Sequence, residues 1–168
     1  MSAAQAQAQE EMVNWRSLLE AGRAIALASD HAGWPLLALL NEALSEANYK
    51  IQLFSPPLAE GVALRCDYPT QALPVLDALH SGEACCGLLV CGSGIGISIA
   101  ANRRAGIRAV RAHEPYSATL ARAHNDANIL CLGARLCGPA MALETLNAFL
   151  DGPFEGGRHQ SRVELLDR

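Results

Sequence analysis

The 168-residue sequence has no CxxC pair, no GKS or GKT triplet, no excess of basic residues and no long unbroken apolar run. Each absence removes a class of function. Without CxxC, and with no familiar zinc spacing linking Cys85, Cys86 or Cys91 to a histidine, a structural zinc or dithiol redox site is not expected. The missing GKS or GKT excludes the phosphate loop of an NTPase. A net charge of −4 leaves no broad basic surface for nucleic acid, although a few clustered arginines suffice for a small anion. Residues 84–102 run nineteen positions without a charge, but four glycines, two serines and an asparagine interrupt them, so no membrane span is expected. The first residues lack the basic start and apolar centre of a secretory signal. A cytoplasmic chain is expected, its six cysteines reduced.

What is present is enough apolar material for one core: 51% of residues are hydrophobic and only 18% are charged. Residues 1–22, opening in low-complexity Ala/Gln, read as an N-terminal extension, helical or frayed, whose residues 12–19 are suited to docking on the domain or a partner. Residues 23–168 read as a single domain with a C-terminal helix, without internal repeat.

Within that domain short apolar runs alternate with helical patterns. "AIALAS" (24–29) reads as a buried strand. In "WPLLALLNEALSEAN", Leu36, Leu37, Leu40, Ala43 and Leu44 recur at helical spacing, with Pro35 tolerable in the first turn. "YKIQLF", "CCGLLVC", "GIRAVRA" and "ANILCLG" supply further strands. "TQALPVLDALHSG", "PYSATLARAHN" and "GPAMALETLNAFLDG" supply helices, and "SPPLAEGVALRCDYP" a long loop. The alternation predicts an α/β fold: a doubly wound, mostly parallel five-stranded sheet with helices on both faces, Rossmann-like. Ligands of such sheets sit at the carboxyl ends of the strands. That rule selects Ser29, Asp30 and His31, then Gly92, Ser93 and Gly94, then His113 and Glu114, and finally Arg135.

The loop "CGSGIG" admits three readings. Its glycines resemble a dinucleotide fingerprint, but the spacing is GxGxG and the strand is a middle one, with Glu114 near the distance of a ribose-binding acid. It is also readable as a tight strand-to-helix turn beside a buried cysteine. The third reading uses every part. Glycines let a ligand approach the backbone, the amides opening the next helix stabilise a developing oxyanion, and the same dipoles favour a Cys91 thiolate. A base beside an oxyanion hole suits proton abstraction next to a carbonyl, and nucleophilic thiol chemistry equally. The other cysteines, Cys66, Cys85, Cys86, Cys131 and Cys137, read as small buried hydrophobes or bystanders. Arg158 and Arg162, four apart, would share a helical face suited to one anion, or form an ordinary solvated face. His124 reads equally well as a helix-end histidine favoured by the dipole.

In order along the chain, "SDHAG", "DYP", "CGSGIGISIAANR", "GIRAV", "HNDANIL", "LGAR" and "FEGGRHQSR" resemble the motifs of type B ribose-5-phosphate isomerases, a family that also contains galactose-6-phosphate isomerase subunits. The resemblance runs over residues 24–163. It implies an aldose-ketose isomerase without metal or organic cofactor, a homodimer or homotetramer whose active site is shared between subunits. Cys91 matches the base that moves a proton between C2 and C1, and Ser93 the residue assisting it. Gly92, Gly94 and Gly96 match the amides that hold the enediolate oxygens. His124 matches the ring-opening histidine and Asn125 its sugar-contacting neighbour. Asp30 and His31 match residues binding the ring oxygen, hydroxyls or phosphate. Arg135, Arg158 and Arg162 match the phosphate clamp, and Tyr68 a sugar-side contact.

The resemblance has departures. Residues 55–65 form a longer loop with consecutive prolines, and "GWPLLALL" lacks a lysine common in the first helix. Arg111 and His113 stand where small or apolar residues are typical, and the N-terminal extension is atypical. Side chains of Arg111 and His113 that reach the pocket would alter the sugar length accepted or add a phosphate contact, and the extension is placed to cover the subunit interface. None of the departures touches the Cys91 machinery, so they bear on substrate more than on reaction type. Interconversion of ribose 5-phosphate and ribulose 5-phosphate is expected. The alternatives are another phosphosugar (galactose 6-phosphate, allose 6-phosphate or an erythrulose phosphate), a non-catalytic phosphosugar-binding subunit, and a cysteine-dependent redox or metal protein.

Overall fold

The computed structural model describes residues 14–167. Helix α1 (Trp15–Glu20) leads into β1 (Ala24–Ser29), α2 (Trp34–Glu46) and β2 (Lys50–Phe54). A small hairpin, β3 (Leu58–Ala59) and β4 (Val62–Ala63), precedes α3 (Tyr68–His80), β5 (Ala84–Cys91) and α4 (Ile95–Ala101). Then come β6 (Ala109–Arg111), α5 (Pro115–Asn125), β7 (Ile129–Gly133) and α6 (Pro139–Asp151). A 3-10 turn (Gly157–His159) and α7 (Gln160–Leu166) finish the chain.

The main sheet has five strands in the order β2-β1-β5-β7-β6, every pairing parallel. Among the described residues antiparallel pairing occurs only in the hairpin β3–β4, inside the segment expected to be a loop. Alternate side chains on each strand serve opposite cores, as the pleat requires. Ile25, Leu27, Cys86, Leu88 and Val90 pack under α1, α2, α5 and α6. Ala24, Ala26, Ala28, Leu89 and Cys91 face α3 and α4, where the run of alanines lets α3 lie close to β1. Cys91 therefore ends β5 on the same face as the helix that its own loop begins.

Helix α3 starts two residues earlier than the sequence pattern indicates, because Pro69 sits in the first turn, where no N–H partner is lost. Pro74 is accommodated inside it. Of the segment expected to dock, residues 12 and 13 lie outside the described residues. Leu19 is buried in the core, and Trp15 packs against it. No described helix is long and apolar enough to cross a membrane.

Candidate active site

The central strands β1 and β5 lie where the chain reverses direction across the sheet, so a crevice opens beyond their carboxyl ends. A cleft of about 290 Å³ occupies it, lined by Asp30, His31, Tyr68, Cys91, Gly92, Ser93, Gly96 and Arg135 among others. Cys91 is 3% exposed and forms part of the cleft wall. The Gly94 amide donates to its Sγ at 3.1 Å, and the Ile95 amide to Ser93 Oγ at 3.3 Å. The sequence reading gave the Gly94 amide to a substrate oxygen, whereas here it serves the sulfur. Cys131 faces the same core one strand away. Burial first, then the neighbouring Cys91 charge, raise its pKa far above the usual thiol value, so it stays protonated.

Backbone ties fix this rim. Ala134 and Arg135 amides donate to the Cys91 and Gly92 carbonyls at 2.9 and 3.0 Å, lacing the end of β7 to the loop. Gly94 adopts φ +76 against the backbone of Leu132 and Gly133, a conformation that disfavours any side chain. Gly96 lets the Tyr68 ring lie directly on α4, where a Cβ would come within 2.6 Å of the ring. Asp30 is buried, and its Oδ1 accepts from the Gly33 amide at 2.9 Å. His31 Nδ1 lies 3.1 Å from the Cys66 carbonyl and 3.3 Å from its amide, so the backbone beyond the hairpin orients the ring. The Arg135 guanidinium lies over Gly92. Arg111, singled out as a possible pocket residue, instead donates from Nε to the Ser93 carbonyl at 2.9 Å. Neither it nor His113 lines the cleft.

The remaining candidates gather elsewhere. Helix α5 returns from the carboxyl end of β6 to the amino end of β7, so His124 in its last turn lies at the opposite edge of the sheet from Cys91. The 11-residue helix alone spans roughly 16 Å. His124 stacks on His159, centroids 4.2 Å apart and planes 6° from parallel. The Nε2 atoms of His124 and His159 lie 4.0 and 3.6 Å from the Glu155 carboxylate. Arg158 occupies the 3-10 turn and Arg162 the following helix, so the single helical face expected for the pair is broken between two elements. Both are exposed. Among the described residues neither they nor Arg135 meets a carboxylate, whereas Arg16, Arg104, Arg108 and Arg122 all do. Asn125 opens on a separate cleft of about 380 Å³. Its one charged lining residue, Arg108, is already held by Asp126 and Asp167.

His159 and Glu155 escaped the sequence reading, although both stand inside the quoted "FEGGRHQSR". Their i,i+4 spacing beside a charged pair was the available signal. His124, Glu155 and His159 bring ligand atoms within 4.8 Å of one another. Parallel stacked rings, however, cannot both aim in-plane lone pairs at one ion between them, and Arg158 donates to His159 Nε2 at 3.1 Å. A metal fits this cluster poorly.

Comparison with known proteins agrees with the geometry. Residues 25–166 match the Ribose/Galactose Isomerase family model. The chain is 53% identical over 102 residues to ribose-5-phosphate isomerase B of Escherichia coli, covering 61% of this chain and 68% of that protein. It is 37% identical over 143 residues to D-erythrulose-4-phosphate isomerase of Pectobacterium atrosepticum, covering 84% and 91%. The crystal structure of ribose-5-phosphate isomerase B from Mycoplasma genitalium with bound ribulose-5-phosphate superposes with a TM-score of 0.80 at 34% identity, over 86% of this chain and 94% of that one. With a cysteine cleft at one rim of a parallel sheet and this match along nearly its whole domain, the chain belongs to the ribose/galactose isomerase family and is an aldose-ketose isomerase.

Proposed function

We propose that the chain interconverts ribose 5-phosphate and ribulose 5-phosphate through an enediolate, with Cys91 as the base. The Cys91 thiolate takes the C2 proton of the open-chain aldose. The C–H electron pair becomes the C1–C2 double bond, and the negative charge settles on O1. Return of the proton to C1, with the O2 hydroxyl proton passed to O1 by way of Ser93, leaves the ketose. The observation that carries this reading is the Gly94 N–H directed at Cys91 Sγ, at 3.1 Å, in the wall of a cleft rimmed by an arginine that meets no carboxylate among the described residues. A pure phosphosugar-binding module has no use for such a base.

The second half of the machinery is supplied by another copy of the chain. His124 would donate to the ring oxygen and open the furanose, Asn125 would contact the sugar, and Arg158 and Arg162 would join Arg135 on the phosphate. Supporting this are the distance between the two rims within one chain and an apolar face beside the cleft. Ile95 and Ile99, one turn apart on α4, are 49% and 60% exposed. A twofold contact there would carry each amino rim toward the other copy's cysteine.

The test follows the hydrogen. In heavy water the ketose should acquire deuterium at C1 without net turnover, and Cys91→Ala should cut that exchange at least about a hundredfold. Exchange persisting at the wild-type rate would remove Cys91 from the mechanism. Activity that survives excess chelator would agree with a metal-free reaction. A four-carbon substrate is the runner-up, favoured by the similarity to an erythrulose-phosphate isomerase. Specificity constants for four-, five- and six-carbon phosphosugars decide between them.

A further inference from the structure

The stack at the amino rim gives His159 more than a packing role. It is 4% exposed, yet its Nε2 receives the Arg158 Nε–H at 3.1 Å while its face lies flat on His124 at 4.2 Å. The groups facing it are His124 from α5, Glu155 from the preceding loop, its neighbour Arg158, and Arg162 from α7. Burial first, then the positive charge of those neighbours, outweigh Glu155 and hold the imidazole below its usual pKa, in the neutral form that can accept from an arginine. The platform is itself pinned. The Glu155 amide donates to the Ala123 carbonyl at 3.0 Å, and the His159 amide to the Gly156 carbonyl at 2.9 Å.

We propose that His159 is a positioning residue: by stacking on His124 while accepting from Arg158, it holds the ring-opening imidazole and a phosphate-binding guanidinium in one fixed relation. With Nε held, the terminal nitrogens of Arg158 are presented together to an anion, the geometry a phosphate needs. Docking of the phosphate then sets the imidazole that acts on the sugar ring. The neutral face beneath His124 also accommodates the positive charge that ring carries as an acid, by attraction of cation to π-system. The proposal rests on the roles given above to His124 and Arg158.

Two variants separate the two contacts. His159→Phe keeps a ring under His124 and removes the acceptor. His159→Gln keeps an acceptor and removes the stack. The readouts are turnover of ribose 5-phosphate, inhibition by inorganic phosphate, and deuterium exchange into ribulose 5-phosphate at saturation, which needs no ring opening. His159→Phe should weaken phosphate inhibition and raise KM together by roughly tenfold, with kcat largely kept. His159→Gln should leave phosphate inhibition unchanged and lower kcat for ribose 5-phosphate by roughly tenfold, with ketose exchange retained. If both variants match wild type, or if both lose all three readouts in step with thermal stability, His159 is only a packing residue and the proposal falls. His124→Ala separates this from failure of the underlying reading. Full turnover of ribose 5-phosphate by that variant would sink ring opening itself, whereas a normal His124 defect beside silent His159 variants sinks only the positioning role.

Discussion

The two rims of this sheet are built in opposite ways. At the carboxyl rim Cys91, Ser93 and Arg135 stand on strand ends and are tied by main-chain hydrogen bonds between β5, its loop and the end of β7. At the amino rim His124 and Asn125 end a helix and Arg158 and Arg162 follow in the last turns, and here side-chain contacts add to the main-chain ties of Glu155 and His159: a histidine stack, an arginine-to-imidazole bond, and the buried Arg122 beneath. Under the proposed function the first rim presents the thiol that would move a proton over a short distance with little tolerance for drift, and the second the groups that would open the sugar and share the phosphate with Arg135. On that reading, rigidity lies where proton transfer needs it, and adjustable contacts lie where the ligand arrives.

The largest effect comes from making the rims cooperate across subunits. Cys91→Ala and His124→Ala, each expected to be nearly inactive on ribose 5-phosphate, should complement when mixed and allowed to exchange subunits. Half the dimers then pair one of each, and each mixed dimer has one intact and one doubly damaged site, so activity should recover to about a quarter of wild type. No recovery, with exchange verified by native mass spectrometry, would end the shared-site model.

Next in size is a matched pair of glycines. Gly94 and Gly106 adopt nearly the same backbone, φ +76 and +75, but a Cβ at Gly94 would press on the Leu132 and Gly133 main chain while one at Gly106 would meet nothing within 4 Å. Left-handed strain of about 1–2 kcal/mol applies to alanine at either position. Gly94→Ala should also displace the amide from Cys91 and cut turnover by roughly tenfold to a hundredfold. Gly106→Ala should lower the melting temperature and leave turnover alone. Equal kinetics for the two would show that the loop's close fit to β7 does not set the cysteine.

That contrast also marks what could be read in advance. The carboxyl rim was legible because a rule of the fold assigns strand ends to ligands, and "AIALAS" and "CCGLLVC" declare their ends by continuous apolar runs. The roles expected at the amino rim came only from motif resemblance. Nothing in the pattern of α5 would distinguish a catalytic His124 from an ordinary last-turn histidine, and nothing marks His159 as buried. The hairpin at residues 58–63 was missed because strands of two residues have no period to detect. The docking of Leu19 was anticipated, but not the contact of Trp15 with Arg122, since no local pattern reports a pairing between residues so far apart in sequence.

A smaller effect is expected at the phosphate. Arg135 belongs to one rim, and Arg158 and Arg162 to the other. Alanine at any of the three should raise KM and weaken inhibition by inorganic phosphate in parallel, by roughly tenfold. A KM that rose while phosphate inhibition held would take that arginine out of the clamp.

The smallest effect tests whether the rims are mechanically separate. Arg122 is 1% exposed and donates to the Gly152 and Ala127 carbonyls and to Asp126 Oδ1, which secures the turn that follows His124 and Asn125. Trp15 covers it, its ring 4.3 Å from the guanidinium and its Nε1–H donating to the Ala127 carbonyl at 3.3 Å. Trp15→Ala loses a cation–π contact and a hydrogen bond and admits water to a buried charge, together about 2 kcal/mol. For a domain of this size that lowers the melting temperature by roughly 4–8 °C. Trp15→Phe, which keeps a ring but not the donor, should fall between. At 25 °C both variants remain folded. Ketose exchange at saturating substrate should then be unchanged, because every tie that holds Cys91 lies on the other rim, while KM for ribose 5-phosphate should rise slightly as the turn carrying Asn125 loosens. A slower exchange in the folded Trp15→Ala protein would mean that the extension braces the cysteine as well, and the division of labour between the rims would have to be abandoned.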